Sequence, residues 1–330
     1  MNVSKVTLQQ MELLFEAIKF QVSDLETSRN FLSEIKIDKA NDSRYLSWMI
    51  VLDIIPSDSV LWPQTFYHIL KSYRGKMKYY GQEIRQLLAE KSYKEIVNDV
   101  DRALSWFERL INDLNIPKNL LEGAKEVLVR IIVITIKESP QYQYLQGYDR
   151  FAAISYALSL RFVLKFGLGQ LEAEAFAVSL FRKLITINTT ASYLERGTNV
   201  MRYFSNIDGY LRSHNFNIIN LLEKINCGSV DFASNWAGVF FADSHNPLSF
   251  LLIWDEIVLH SNKFDELFCA LVSAHLNQIE IEDDSPYSLL QNIQMKNDWN
   301  VYKIIQDTRN LLLKPIFSRN SLTGFTGFWI

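Results

Sequence analysis

The stretch YKEIVNDVDRALSWFERLINDL (Tyr93–Leu114) carries the clearest structural signal in the chain. Apolar residues recur in it at spacings of three and four, which is the period of one face of an α-helix. The residues on that face are Ile96, Val100, Leu104, Phe107 and Ile111. The pattern predicts an amphipathic helix whose apolar face is buried and whose charged face meets water.

Helical periodicity continues outward from this stretch toward both ends of the chain. Toward the N-terminus, it predicts helices within 1–22, from 41 to 52, and from near 63 onward. Toward the C-terminus, it predicts helices over 120–139, 151–162, 171–186, 195–213, 216–225, 231–242, 247–260, 263–277 and 287–312. Only 12 Gly and 7 Pro occur in 330 residues, so few tight turns can be encoded. These features predict an all-α fold, a multi-helical domain of two lobes with a shared core.

Composition argues against several classes of function. The chain is 48% hydrophobic, which is ample for a globular core, and 34 basic against 37 acidic residues give a net charge of -3. No run of like charge is long enough to form a nucleic-acid-binding arm. Cys227 and Cys269 are the only cysteines, and the 5 histidines lie apart, so we expect neither a disulfide framework nor a metal site.

The N-terminus and the apolar segments indicate where the protein resides. Residues 1–20 carry acids and amides through their apolar stretch and lack the core of a signal peptide. The strongest apolar run, Val127–Ile136, contains Arg130 and is shorter than the roughly 20 residues that span a bilayer. The chain is therefore predicted to be soluble and cytoplasmic, with no transmembrane segment.

Two short segments carry the candidate chemistry, and the first lies in the helix quoted above. Ile96 and Val100 are one turn apart and can be buried together, while Asp99 and Arg102 are neighbours on the helix surface. Taken alone, this arrangement is typical of an amphipathic helix with one solvated ion pair.

The second segment is Tyr144–Tyr148, which follows a helix that must end before Pro140. Gly147 permits a backbone conformation or a close approach that a Cβ would obstruct. Gln146 would be displayed on the loop ahead of an apolar helix. Taken alone, this is an ordinary helix connection with an exposed amide.

Together the two segments resemble TBC-domain Rab GTPase-activating proteins. Residues 96–102 match the family's Ile-x-x-Asp-x-x-Arg motif, and residues 144–147 match its Tyr-x-Gln-Gly motif, in the family's order. The run 99–104 with 144–148 resembles the branch that acts at the endoplasmic reticulum and early secretory pathway. Further family landmarks appear in the expected order at Arg44, Trp48, Trp236, Trp254 and Asp255.

The resemblance implies a TBC-type helical domain and assigns roles to the quoted residues. It implies that Arg102 is an arginine finger and Gln146 a glutamine finger, both inserted into the nucleotide site of a Rab-family GTPase in its GTP form. Asp99 would orient or neutralise Arg102 before docking, and the loop carrying Gln146 would be shaped by its neighbours. The supporting residues are Asp99, Tyr144, Gly147 and Ile96.

Expected boundaries and partners follow from the same resemblance. Residues 1–40 would form an N-terminal helical extension, 41–312 the TBC domain and 313–330 a C-terminal tail. GTP and magnesium would belong to the partner, so the chain would need no cofactor of its own. It would act as an enzyme activator without turning over a substrate. It would meet endomembranes peripherally, through its partner, and would not bind nucleic acid.

Departures from the family pattern leave a second function open. Asp149-Arg150 places a base where an acid is usual, and Leu252 replaces the arginine that usually precedes Ile-Trp-Asp. The alternative is a TBC-like scaffold that binds a small GTPase or another trafficking partner without useful catalysis. A helical-repeat adaptor is disfavoured because no repeat period is visible.

Overall fold

Helices make up the regular structure of every described part of the chain. The structure, a computed structural model, describes residues 6–87, 91–139, 143–187, 200–281 and 285–313. Across these ranges it contains α-helices and short 3₁₀ turns, and no residue in them forms a β-strand. The predicted all-α fold is confirmed.

The helices follow one another along the described ranges with short connections. Short 3₁₀ turns occur at Ser59–Leu61, Lys118–Leu121 and Ser261–Lys263. The α-helices are α1 (Leu8–Ala17), α2 (Leu25–Ser33), α3 (Asn41–Val51), α4 (Trp62–Leu87), α5 (Lys91–Asp113), α6 (Ala124–Glu138), α7 (Tyr148–Leu164), α8 (Gln170–Ile187), α9 (Val200–His214), α10 (Phe216–Glu223), α11 (Ser229–Val239), α12 (Pro247–Leu259), α13 (Phe264–Leu276), α14 (Pro286–Met295) and α15 (Val301–Leu312).

The chain divides into two compact units. The first unit comprises residues 1–200 and 234–262, and the second comprises residues 201–233 and 263–330. Each unit is therefore assembled from two separate stretches of sequence. Local periodicity cannot reveal such a division, because it reports only on residues within a few turns of each other.

Helix α7 lies at the centre of the first unit. It packs against α3, α5, α6 and α8, and nearly all of its side chains are buried. A helix that is apolar on all sides is suited to such a position. Because α7 begins directly after Gly147 and packs against α5, it places the segment that carries Gln146 relative to the helix that carries Arg102.

The N-terminal helix α1 packs against α4 through aromatic rings. Phe15 stacks on Phe66 with ring centroids 5.4 Å apart and lies 5.0 Å from Phe166. Phe20, which follows α1, stacks on Phe162 of α7 at 6.0 Å. Burial of aromatic rings is a large apolar contribution to stability. Residues 8–20 are thus packed within the first unit.

Arg130, which interrupts the apolar run of α6, forms an ion pair between helices. Its Nε and Nη2 atoms donate to the two carboxylate oxygens of Glu174 on α8, each at 2.7 Å. The hydroxyl of Tyr73 on α4 donates to the same carboxylate. A buried charge is tolerated when it is paired and hydrogen-bonded in this way. Arg130, the charged residue within the apolar run, therefore helps to link α6 to α8 and α4.

The second unit contains its own buried polar contacts. Asn215, just before α10, donates from Nδ2 to the Ser273 carbonyl at 3.2 Å and accepts from the Ser273 hydroxyl at 2.7 Å. The buried His275 lies edge-on to Trp299 with ring centroids 4.9 Å apart. These contacts connect α13 to the segments before α10 and before α15, and they account for polar residues inside this unit.

The C-terminal helix prediction over 287–312 is wrong in one respect. The structure contains two helices there, α14 and α15, separated by residues 296–300. Asn300 starts the second helix, because its side-chain oxygen accepts a hydrogen bond from the Lys303 N–H at 3.1 Å. Such an N-cap satisfies a helix donor that would otherwise lack a partner.

Two further predicted helix ends are shifted by left-handed backbone. The sequence predicts a helix from 120, but α6 begins after Gly123, whose φ is 73°. The sequence predicts a helix through 242, but α11 ends at Val239, and Phe240 and Phe241 take φ values of 48° and 63°. Both phenylalanine side chains are fully buried, so packing compensates for the strained backbone.

Several predictions concern residues outside the described ranges. These are residues 1–5 of the predicted N-terminal extension, 140–142 of the loop before Gln146, 195–199 at the start of a predicted helix, and 314–330 of the predicted tail. Within the described ranges, no helix combines the length and apolar character needed to cross a membrane.

Candidate functional site

The helix α5 presents Arg102 to solvent from a firmly packed base. Ile96 and Val100 are buried on its inner face, as the sequence predicts. Asp99 lies at the edge of that face and is 4% exposed, whereas the Arg102 side chain is 67% exposed. The Arg102 guanidinium forms an ion pair with the Asp99 carboxylate through Nη2 and Oδ1. Asp99 thus anchors one edge of a guanidinium that otherwise faces water.

Tyr144 contacts the same carboxylate from the other segment. Its hydroxyl donates to Asp99 Oδ2 at 2.6 Å, although the two residues are 45 positions apart. Burial, together with the hydrogen bond to Asp99, raises the pKa of Tyr144 well above its ordinary value. The phenol therefore stays protonated and remains a donor. Asp99 accepts from both motifs and joins them.

Gln146 lies in a tight turn that immediately precedes α7. The Tyr148 N–H donates to the Leu145 carbonyl at 3.1 Å and closes the turn, which leaves Gln146 exposed. The Gln146 side chain thus lies at the protein surface. Its amide is therefore available to another molecule.

Gly147 is required by this turn on two grounds. Its φ is 106°, which is left-handed backbone that side chains with a Cβ rarely adopt. A Cβ at this position would also lie 2.8 Å from the carbonyl oxygen of Gly238 on α11. The turn that carries Gln146 therefore sits directly on the backbone of α11.

Arg150, the departure from the family pattern, lies among carboxylates and an aromatic ring. Its Nη1 donates to Asp149 Oδ2 at 2.5 Å and its Nε donates to Asp243 Oδ1 at 2.7 Å. Its guanidinium carbon lies 5.2 Å from the ring centroid of Trp106. Burial raises the pKa of Asp149, the carboxylates of Asp99 and Asp243 add to the rise, and Arg150 opposes it.

Four of the five family landmarks form a buried cluster around Asp255, and the fifth, Trp236, stacks on Phe241 with ring centroids 5.4 Å apart. Asp255 Oδ1 accepts from Trp48 Nε1 at 2.8 Å and from Arg44 Nε at 3.2 Å. Its Oδ2 accepts from Lys39 Nζ at 2.9 Å. Trp254 stacks on Trp48 with ring centroids 5.9 Å apart. This cluster joins α3 to α12, and burial lowers the pKa of Lys39.

The structure sorts the predicted residues into two groups. Arg102, Asp99 and Tyr144 are bonded together, and Gln146 is exposed two residues after Tyr144. Six further predicted residues are buried: Ile96 on α5, and Arg44, Trp48, Trp236, Trp254 and Asp255. Leu252, the second departure, is also buried.

Sequence reasoning missed three residues that the structure adds. Trp106 and Asp243 contact Arg150, and Lys39 binds Asp255. Arg150 itself was noticed as a departure, but its partners were not. Only Trp106 has a local signal, because it lies one helical turn after Arg102 on α5. Across the described ranges, no group of three or more His, Cys, Asp or Glu side chains is placed to hold a metal ion.

Comparison with models of protein families identifies the domain family to which the chain belongs. The sequence model of the Rab-GTPase-TBC domain matches residues 41–282, which is well over half of the chain. The chain belongs to the Rab-GTPase-TBC domain family. The family resemblance predicted from the motifs is thereby confirmed. The matched range contains both motif segments and the whole Asp255 cluster except Lys39.

Individual relatives of this TBC-domain chain are distant in sequence. TBC1 domain family member 20 from Bos taurus and from Homo sapiens are each 23% identical to it over 227 residues, or 64% of this chain. The chain spans about half the length of these relatives, 51% in each case. The crystal structure of the Ypt/Rab-GAP domain of Gyp1p superimposes with a TM-score of 0.66 at 14% identity. That match covers 93% of this chain and 98% of the other, and it shows a shared fold.

Proposed function

We propose that this TBC-domain protein is a GTPase-activating protein for a Rab-family GTPase in its GTP form. Arg102 is the arginine finger and Gln146 the glutamine finger. One observation carries the proposal: the buried Asp99 carboxylate accepts from both the Arg102 guanidinium and the Tyr144 hydroxyl. That contact links an exposed cation to the segment that displays an exposed amide.

The chemistry of GTP hydrolysis explains why this pair suits the task. Negative charge spreads over the transferring phosphoryl group in the transition state, and the attacking water is poorly held in the GTPase alone. A guanidinium stays charged at all relevant pH values and forks toward phosphate oxygens, which a lysine cannot copy. Arg102 has one edge on Asp99 and most of its surface in water, so it is oriented but still able to reach a partner.

Gln146 supplies the complementary role of orienting the water. An amide both donates and accepts hydrogen bonds, so it can hold a water against a phosphoryl group. Its position in a turn fixed by Gly147 limits the motion of its backbone. A catalytic group that is held in place before the partner docks costs less entropy in the transition state.

The remaining requirements lie with the partner. GTP and its magnesium ion belong to the GTPase, and this chain supplies only protein groups. It acts in the cytoplasm and meets endomembranes through the bound GTPase, and nucleic acid is not a partner. The resemblance of residues 99–104 and 144–148 to the endoplasmic-reticulum branch of the family supports testing GTPases of the early secretory pathway first.

Single-turnover GTP hydrolysis by a panel of GTP-loaded Rab proteins tests the proposal. We expect strong acceleration by the wild-type chain with at least one Rab protein. Arg102→Ala should lower that acceleration by about 10³- to 10⁵-fold, the usual contribution of an arginine finger. Gln146→Ala should lower it by about 10²-fold or more, because the water loses its orientation.

Arg212→Ala is the matched control, since Arg212 is also an exposed arginine in an ion pair, with Glu223. It should leave the rate unchanged. Acceleration that survives both Arg102→Ala and Gln146→Ala would overturn the assigned roles. Binding of a Rab protein without any acceleration would instead support the scaffold function, which the departures at Arg150 and Leu252 keep as the second candidate.

A further inference from the structure

Arg150 occupies a position where three structural elements of the first unit meet. It lies in the first turn of α7 and bonds to Asp149 beside it. It also bonds to Asp243, which follows α11, and lies over the ring of Trp106 on α5. Its side chain is only 16% exposed. The guanidinium is therefore largely enclosed by groups of this chain.

One of these contacts leads directly to the turn that carries Gln146. Arg150 holds Asp149 through Oδ2, and Asp149 Oδ1 accepts from the backbone N–H of Gly147 at 3.2 Å. Gly147 is the neighbour of Gln146 and has a constrained, left-handed backbone. Any rotation of the Asp149 carboxylate would release this N–H and loosen the turn.

A second contact leads to the helix that carries Arg102. Trp106 lies one turn after Arg102 on α5, and its ring stacks on Phe250 of α12 with centroids 5.3 Å apart. The indole is 6% exposed and therefore fixed in place. An arginine over the face of a tryptophan is held by both charge and dispersion. Arg150 thus bridges α5 and the Gln146 turn.

Charge gives Arg150 a role that an apolar residue could not fill. Asp149 and Asp243 both contact it, and Asp99 lies close enough to act on Asp149 electrostatically. Without the guanidinium, the buried Asp149 carboxylate would lose its cation and would still feel the negative charges of Asp99 and of the half-exposed Asp243. Repulsion would push Asp149 to rotate or take up a proton, and either change alters the acceptor of the Gly147 N–H.

We propose that Arg150 is a positioning residue that fixes Gln146 relative to Arg102 by clamping Asp149, Asp243 and Trp106 together. The inference rests on the proposed function and adds a residue to it. It also gives the departure from the family pattern a purpose. The base at position 150 orders the glutamine turn through Asp149 and does not touch the nucleotide.

Arg150→Met keeps the length of the side chain and removes its charge, so it is the main test. We expect the single-turnover rate at a saturating concentration of the TBC-domain protein to fall by about 10- to 100-fold, since small misplacements of a catalytic group have effects of this size. The concentration of GTPase-activating protein for half-maximal rate should be unchanged. Arg150→Lys keeps the charge and should recover part of the rate.

A double-mutant cycle separates positioning from a general structural effect. In a Gln146→Ala background, Arg150→Met should change the rate by less than about twofold, because the group that it positions is gone. Full additivity of the two losses would overturn the proposal. The matched control is Arg182→Met, which removes a guanidinium from an ion pair with Glu138 in the same unit and should leave the rate unchanged.

Hydrogen–deuterium exchange gives a readout that does not depend on any Rab protein. Peptides covering 143–150 should exchange faster in Arg150→Met than in the wild type, while peptides from α8 should not change. If Arg150→Met does not fold, Asp243→Asn removes one partner more gently and should show the same local increase. Unchanged exchange in 143–150 would overturn the proposal. Absence of acceleration by the wild-type chain, in contrast, would overturn the proposed function itself.

Discussion

Asp255 and Asp99 are two carboxylates of the first unit that each hold an arginine, and they differ in what surrounds that arginine. Around Asp255, the Arg44 side chain is 0% exposed and the Lys39 side chain 2% exposed. Around Asp99, the Arg102 side chain is 67% exposed. An arginine–aspartate ion pair is therefore fully enclosed at Asp255, whereas at Asp99 the arginine side of the pair is open to solvent.

This difference distinguishes a cluster that stabilises the fold from a site that is able to act on another molecule. A fully enclosed guanidinium cannot reach another molecule, and its removal strands a buried charge. An anchored but exposed guanidinium keeps most of its five N–H donors free. The Asp255 cluster should therefore matter for stability, and the Asp99 site should matter for activity. The following substitutions test that division.

The largest loss of stability is expected from Asp255→Ala. Arg44 and Lys39 would lose their shared carboxylate in the core, so the free energy of unfolding should fall by about 3–5 kcal/mol. Urea denaturation followed by circular dichroism measures it. The control is Asp101→Ala, which removes an exposed pair with Lys125 and should cost less than about 1 kcal/mol. Equal losses for the two variants would contradict the comparison.

Gly147→Ala should cause the second-largest loss of stability. The new Cβ would meet the Gly238 carbonyl oxygen at 2.8 Å on left-handed backbone, so we expect a loss of about 1–3 kcal/mol. GTPase activation should fall as well, since the Gln146 turn must shift. Gly75→Ala is the control, because its Cβ would meet nothing within 4 Å in helix α4. It should stabilise the chain by about 0.5–1 kcal/mol. Two losses of similar size would argue against a special role for the turn.

Tyr144→Phe should have a smaller effect on stability. It removes one hydrogen bond of 2.6 Å to a charged acceptor, which is worth about 1.5 kcal/mol. Thermal unfolding measures it. Tyr79→Phe, at a tyrosine that is 76% exposed, is the control and should be neutral. We also expect Tyr144→Phe to lower GTPase activation, and full activity would show that the contact with Asp99 is dispensable.

Arg102→Ala should have the smallest effect on stability. Its ion pair is largely exposed, so the free energy of unfolding should change by about 1 kcal/mol or less. The matched variant is Arg44→Ala, which should be far more harmful because it leaves Asp255 buried with fewer donors. Denaturation of the two variants side by side makes the comparison. If Arg102→Ala were the more destabilising of the two, the division between scaffold and site would be wrong.

Much of the first motif could be read from local spacing. The burial of Ile96 and Val100 and the pairing of Asp99 with Arg102 follow from helical period, because residues three or four apart are neighbours on a helix. Gly147 was also expected to permit a backbone conformation or a close approach that a Cβ would obstruct, and its φ of 106° lies in the left-handed region.

Contacts between distant segments could not be read in this way. Lys39 and Asp255 are 216 positions apart, and Arg150 and Asp243 are 93 positions apart. No periodic pattern links them, because each depends on how whole helices pack. The ends of α6 and α11 were missed for a related reason: buried side chains and left-handed residues overrode local helix propensity.

The sequence by itself determined that this chain is helical, that α5 has a buried and an exposed face, and that its motifs belong to the TBC family. Helical period and short motifs are patterns of residues that lie close together along the chain, so they can be recognised without knowing how the chain folds. Only the tertiary structure decided that Tyr144 reaches Asp99, that Arg150 bridges Asp149, Asp243 and Trp106, and that Asp255 encloses its cations. Those contacts arise when packing of the apolar helix faces brings remote polar groups within bonding distance.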